Sequence, residues 1–423
     1  MVKHIFKIIF NERKINIWIL IELILVFCIL WFCTDYITFL FQRNMEHTGF
    51  DTKHVYRINI REKEKEEQTE DNDNTAETET YNIWSIVDRI KQYPEIEHVS
   101  LSIASIPYSQ SYSGGGVFID TVDQNARAKF VTPEYFDVFK IKIEHGNAYN
   151  WDNIVGENIV VISADESNTF LKRPANKVEK FTMGRIGDTV DPDRTHKVVG
   201  VASRSKWSEY AEYEAIIYSP LKKDDKRLGT GELCVRVKPE ADKDFAKRFT
   251  KAMQSQLALG HYYLSSVQSM TDIRDEYMKG WEYDSNLKSI YSITAFLIVN
   301  IFLGVVGTFW FRVQARRSEI GLRLALGSTR RNIRWLFPLE TILLIVIASI
   351  IAVAICINIS LVDILKDMEI PTPNRGDTSA EPVQYIINYS ITFFFLCIIA
   401  IAAVWYPAKR ASDIQPAEAL KDE

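Results

Sequence analysis

The chain has 423 residues, a formal net charge of -5 and 47% hydrophobic residues. A balance this close to neutral gives no basic surplus for a nucleic-acid partner, and the average hides a strong segregation of apolar from charged sequence. Of the five cysteines only Cys234 lies outside an apolar stretch, which excludes a disulfide-stapled domain.

Four stretches are apolar for about the 20 residues that a bilayer-spanning helix needs: Ile15–Phe41, Ile290–Val313, Trp335–Val362 and Tyr385–Tyr406. The first is too long for the apolar core of a secretory signal, and no small-x-small cleavage site follows it, so an uncleaved anchor is expected. Residues 1–42 form the N-terminal segment and first span. Residues 43–288 form one large hydrophilic domain, and residues 289–423 carry spans two to four, with a coupling loop at 314–334.

Within the large domain, "HVYRINI" (His54–Ile60) alternates like a strand. Residues 61–80, "REKEKEEQTEDNDNTAETET", are charged and read as a solvated acidic insertion. "DNDN" lacks the glycine and closing glutamate of a calcium loop. Ile83, Ile86, Val87 and Ile90 keep helical spacing, and Pro94 stops that helix. Val99, Leu101 and Ile103 alternate as a strand, and "SGGG" (Ser113–Gly116) reads as a flexible turn. "ENIVVIS", "HKVVGVAS", "EAIIYSP" and "ELCVRVKP" are β-branched strands. Residues 242–257 form an amphipathic helix with Phe245, Phe249 and Met253 on one face. Together these predict an α+β domain. "MTDIRDEYMKGWEYDSNLKSIYSI" has few breakers and is expected to run as helix almost directly into span two.

Between spans two and three lies "RRSEIGLRLALGSTRRNIRWLF", residues 316–337. Residues 318–326 favour helix, Gly327 should end it, and Ser328 can cap the next. Leu322, Ala325 and Leu326 can lie against apolar surface while the arginines face water, phosphate or a partner. Lys3, Lys7, Arg13 and Lys14 precede span one, Lys409 and Arg410 follow span four, and the span three–four link is mostly acidic. The positive-inside rule then puts both termini and the arginine strip inside and the large domain outside.

Charged or amide groups within the spans are Glu22, Asp35 and Glu340, and Asn300, Asn358 and Asn388. Snorkelling, or contact with an arginine of the strip, would satisfy the carboxylates. The asparagines read as interhelical hydrogen-bond glue, within one chain or between two copies. No catalytic residues are found. No Gly-Lys dipeptide occurs, so these residues hold no phosphate loop, and there is no H-E-x-x-H, C-x-x-C or G-x-S-x-G. No metal site is expected.

"RRSEIGLRLALGSTRRNIRWLFPLE" resembles the signature of FtsX-like permeases of ABC transporters. Glu319, Ile320, Gly321, Arg323, Ala325, Leu326, Gly327, Ile333 and Glu340 match it. Tyr406, Pro407, Ala408, Ala411, Pro416, Ala419 and Leu420 match the family's closing motif. "PEIEHVS", "FVTPEYFDVFKIKIEHG", "VVIS" and "HKVVGV" resemble a MacB-type periplasmic core. Ser328, Pro338 and the 61–80 insertion depart from the pattern, and Pro338 is expected to kink span three.

The resemblance implies four transmembrane helices with a MacB-like α+β domain outside the membrane, between the first two. It implies the permease subunit of a type VII ABC transporter in the bacterial inner membrane. No cofactor is bound by this chain, ATP and magnesium being on a partner ATPase in the cytosol. A second permease copy, the bilayer, and an extracytoplasmic adaptor or outer-membrane component are the other implied partners. Efflux, or handling of substrates outside the membrane, is the implied task. Docking is expected on Glu319, Ile320, Gly321, Arg323, Gly327, Arg330 and Arg331. The alternative is a membrane receptor or scaffold without transport.

Overall fold

The computed structural model describes residues 13–63, 76–119, 122–151, 158–165, 167–184, 194–280, 283–361 and 381–413. They divide into two compact units, one of residues 43–283 and one of residues 1–42 with 284–423. Helix α1 (Arg13–Met45) is the first element among the described residues.

Among the described residues the large unit is built on thirteen strands and four α-helices. β1 (Val55–Glu62) is followed by α2 (Ala76–Lys91), β2 (Ile96–Ile103), β3 (Ser113–Ile119) and β4 (Val122–Val131). Next come α3 (Tyr135–Val138), β5 (Ile143–Gly146), β6 (Ile159–Ser163), β7 (Thr169–Phe170) and β8 (Arg173–Pro174). β9 (Lys180–Gly184), β10 (Thr195–Ala202), β11 (Ile216–Pro220) and β12 (Glu232–Val237) follow. α4 (Phe245–Met253), β13 (Tyr262–Ser269) and α5 (Met270–Gly280) complete the unit.

One long strand organises this unit. The first part of β4 forms a hairpin with β3, and its end pairs with β2. On its other edge β4 pairs in parallel with β11, Arg127 facing Ile216 and Val131 facing Pro220. That pairing closes β4-β3-β9-β10-β6-β11 into a six-membered ring of strands. A closed ring removes exposed edges. Val117, Ala126, Val160, Ile162, Phe181, Val201 and Ile217 fill one core, joined by Phe170 and Leu171 from the β7–β8 hairpin. Beyond β2 the sheet continues through β12 and β1 to β13. There α2 and α4 cover it, with Ile86, Val87, Ile90, Phe245 and Phe249 buried against Val99, Leu101 and Val235.

Two expectations are corrected here. Ser113–Gly116 is not a flexible turn but the start of β3, in register with Asn125–Ala128 of β4. Local sequence cannot show this, because the partner strand supplies the order. The acidic insertion is also shorter than residues 61–80. Arg61 and Glu62 belong to β1, and α2 starts at Ala76 with Glu77 and Glu79 in its first turn, where the helix dipole favours acids. Residues 64–75 lie outside the described residues. The amphipathic helix of residues 242–257 contracts to Phe245–Met253, with its three apolar residues buried as expected.

Among the described residues Lys206, Arg236 and Lys129 are nearly fully buried cations of this unit. Lys206 donates to the Arg43 carbonyl at 3.0 Å and pairs with Glu46. Arg236, 2% exposed, donates to the carbonyls of Val138, Lys53 and Asp51 at 2.7, 2.9 and 2.7 Å. Lys129, 1% exposed, sits among rings. Its Nζ lies 5.1 Å from the Trp207 centroid, 5.6 Å from Tyr218 and 5.7 Å from Tyr135, and donates to the Tyr135 hydroxyl at 3.4 Å. Burial pushes its pKa down to about 7, with Arg127 lowering it further and Glu232 and Glu214 opposing.

Among the described residues the second unit holds four helices long and apolar enough to cross a membrane. They are α1, α6 (Tyr283–Ala315), α8 (Arg330–Leu361) and α9 (Glu381–Ser412). Trp281 and Glu282, where a helix continuous into span two was expected, lie outside the described residues, as do residues 362–380. α8 runs through Pro338 without ending. Phe27, Phe337, Leu344, Ala348, Ala352, Leu396, Ala400 and Val404 form the shared core.

Candidate functional site

Four residues past Val313 the chain turns into α7 (Arg317–Ala325), and the sequence explains both its ends. At the C-terminal end the Gly327 amide donates to the Leu324 carbonyl at 3.1 Å, and the Ser328 amide to the Arg323 carbonyl at 2.9 Å. This reciprocal pair requires a left-handed residue between them. Gly327 supplies it with φ +94°, and a Cβ there would meet nothing within 4 Å. The glycine is therefore demanded by backbone conformation, not by crowding. Ser328 was expected to cap the next helix. The cap is instead Thr329, whose Oγ1 accepts from the Asn332 amide at 3.3 Å and whose carbonyl accepts from Ile333.

The N-terminal end of α7 is pinned by a buried ion pair. Arg316 Nη1 lies 3.0 Å from Glu340 Oε2, with the two side chains 9% and 1% exposed. Glu340 thus meets an arginine of the strip, as its depth in span three suggested. Ile320 and Gly321 turn inward and are buried. Leu322 and Leu326, one helical turn apart, are 52% and 79% exposed, and Arg330 and Arg331 are exposed beside them. The face expected to lie against apolar surface is therefore uncovered within the chain. Arg323 is half-buried. The side chain of Glu319 lies outside the described ones.

Two further contacts brace this end of the bundle, and the sequence offered no signal for them. Arg334 reaches Ser412 Oγ at 3.3 Å, joining α8 to α9. The Trp310 and Tyr406 rings stack at 6.2 Å and 9°, with the Arg410 guanidinium 4.9 Å from the Trp310 centroid. Tyr406 belongs to the closing motif. Pro416, Ala419 and Leu420 of that motif lie outside the described residues.

The other carboxylates and amides singled out in the spans fall into three sets. Asn388 Nδ2 donates to Asp35 Oδ1 at 2.6 Å, and Asn388 Oδ1 accepts from Thr38 at 3.0 Å. Gln42 donates to Gln384 at 2.8 Å. These bonds form a polar ladder between α1 and α9, and Asn388 is interhelical glue within one chain. Asn300 and Asn358 instead donate to carbonyls of their own helices, Phe296 and Ala354, at 2.8 and 2.7 Å. Glu22 lies over Gly304 of α6, where a Cβ would come within 2.6 Å of its Oε1. The glycine makes room for the carboxylate.

A family model described as FtsX-like permease C-terminal matches residues 291–416, and one described as MacB-like periplasmic core domain matches residues 24–252. The chain is 23% identical over 343 residues to the macrolide export ATP-binding/permease protein MacB of Neisseria meningitidis, covering 78% of this chain and 50% of that protein. It is 21% identical over 323 residues to the protein of the same name in Escherichia coli K12, covering 72% and 44%. The chain spans about half the length of the curated relatives it matches. Among solved structures, the periplasmic region of MacB from Actinobacillus actinomycetemcomitans matches at 15% identity and a TM-score of 0.32, covering 56% of this chain and 97% of that one.

Proposed function

This chain belongs to the FtsX/MacB-type permease family, and from that premise we propose that it is the membrane-spanning partner of a cytosolic ABC-class ATPase. It is a membrane permease with four spanning helices and a periplasmic α+β domain between the first two. In the proposed cycle, nucleotide-driven closure of the ATPase pushes on α7, and the spans carry that motion to the periplasmic domain for efflux or extracytoplasmic substrate handling. ATP and magnesium belong to the ATPase. Both termini and α7 lie in the cytosol, a reading supported by the arginine bias of the loops.

One observation carries this reading. α7 is held at its base by the buried Arg316–Glu340 pair and stopped at its end by Gly327, yet Leu322, Leu326, Arg330 and Arg331 are left uncovered. A fixed short helix with an amphipathic free face suits docking into a partner groove. A second permease copy has its own support. The span at Ser285–Thr308 is only 11% buried, against 28–33% for the other three, so most of its surface awaits lipid or protein. An adaptor or outer-membrane component on the periplasmic side rests on the family alone.

The test is affinity capture of the tagged full chain from its native membrane. An ATP-hydrolysing polypeptide is expected in the eluate, and Leu326→Asp with Arg330→Glu and Arg331→Glu is expected to remove at least about nine-tenths of it, since losing a central apolar anchor and two charge contacts exceeds a tenfold effect. Undiminished ATPase in the variant eluate overturns the docking assignment.

A further inference from the structure

A pocket of about 430 Å³ opens on the ring of strands in the periplasmic domain. Phe130, Ile159, Met183 and Pro220 give it an apolar floor, contributed by four different strands of the ring, and Arg194 and Lys222 stand at its margin. Both cationic side chains are exposed. No carboxylate lines it among the described residues. His196 forms a wall. Its Nδ1 pairs with the Arg194 carbonyl at 2.8 Å, and its ring stacks on Phe181 at 5.9 Å and 13°. Burial holds the imidazole below its ordinary pKa, so at neutral pH the wall is uncharged. Asn158 and Ser219 add neutral polar groups.

This composition is asymmetric. Small-molecule sites are concave and mostly apolar with a few convergent polar groups, typically 300–1,000 Å³ in volume. A guanidinium offers paired donors to a carboxylate or phosphate, and an ammonium a point charge. We infer that this pocket binds an amphiphilic anion, a short acyl or alkyl body carrying one phosphate or carboxylate. The body lies on Phe130, Ile159, Met183 and Pro220, and the head is held between Arg194 and Lys222. The site is separate from the α7 docking face and does not depend on it.

Calorimetric titration of the full chain in phosphatidylcholine nanodiscs, with empty discs subtracted, tests this. Octyl phosphate and octanoate are expected to bind saturably. Octanol, which has the body without the charge, and inorganic phosphate, which has the charge without the body, should each bind at least about tenfold more weakly, as expected for losing a charged hydrogen bond or a buried apolar chain. Arg194→Gln with Lys222→Gln should weaken octyl phosphate at least tenfold with an unchanged circular dichroism spectrum, while Arg194→Lys with Lys222→Arg retains most of the affinity. Octanol binding as well as octyl phosphate overturns the cationic clamp. Inorganic phosphate binding equally well overturns the apolar floor. Absence of saturable binding up to about 1 mM, the weak end of specific affinities, overturns the site.

Discussion

Arg316 and Glu340 meet at 3.0 Å in a place almost closed to solvent, one at the base of α7 and the other a turn or more inside span three. A buried pair holds a geometry more than it adds stability, because desolvation consumes much of the attraction. Removing one member leaves an uncompensated charge. Glu340→Ala is expected to destabilise the membrane unit by about 3–5 kcal/mol, read as a fall in melting temperature of the purified chain. Arg316→Met with Glu340→Leu should recover most of that loss, and a double variant as unstable as Glu340→Ala contradicts the pairing.

Gly327 should tolerate Asn far better than Ala or Val. Space is open around it, so the penalty is that of a left-handed backbone, about 1–2 kcal/mol for a residue with a Cβ, and Asn adopts that conformation more readily. Capture of the ATPase should therefore rank Gly, then Asn, then Ala, then Val. An alanine variant that captures as well as the original chain removes the need for the capping turn.

Lys129 makes stability depend on pH with a defined sign. Its folded-state pKa of about 7 lies below the ordinary 10.5, so between those values the unfolded chain holds the extra proton. Stability therefore rises with pH across that window and is lowest, by this group, at pH 7 and below. Lys129→Met should stabilise the periplasmic domain at pH 6–7 by up to about 5 kcal/mol, with the gain shrinking towards pH 10. Tryptophan fluorescence on denaturation follows this, since Trp207 touches the site. A gain that does not change with pH would point to packing alone.

The polar ladder between α1 and α9 predicts that Asn388→Leu costs about 1–2 kcal/mol, the range for hydrogen bonds between membrane helices, whereas Asn388→Gln costs less. Thermal unfolding in detergent measures both. Equal losses would mean that side-chain volume, not hydrogen bonding, matters there.

Orientation is open to cysteine labelling, because the native cysteines will not interfere. Cys234 is buried and its thiol pushed up by that burial, and the other four lie in the spans. Leu326→Cys should react with a membrane-impermeant maleimide only after the inner face is opened. Tyr112→Cys, at a residue 67% exposed in the periplasmic domain, should react in spheroplasts. The reverse pattern inverts the topology.

The amino-acid sequence by itself determined the four spans, because a bilayer imposes a run length that any single helix must satisfy alone. It determined the end of α7 at Gly327 and the buried face of α4, since a left-handed turn and a 3.6-residue period are local properties. Six of the thirteen described strands of the periplasmic domain, β1, β2, β6, β10, β11 and β12, were legible for the same reason. Only the tertiary structure decided how they pair. Glycines 114–116 look like a turn until β4 lies beside them, and nothing in "EAIIYSP" says that it will run parallel to β4 and close a ring. The Arg316–Glu340 and Asp35–Asn388 pairs, the ring-lined burial of Lys129 and the cationic pocket join residues distant in the chain, up to 353 positions apart for Asn388 and Asp35. Such contacts depend on which surfaces meet, and no short-range pattern records that.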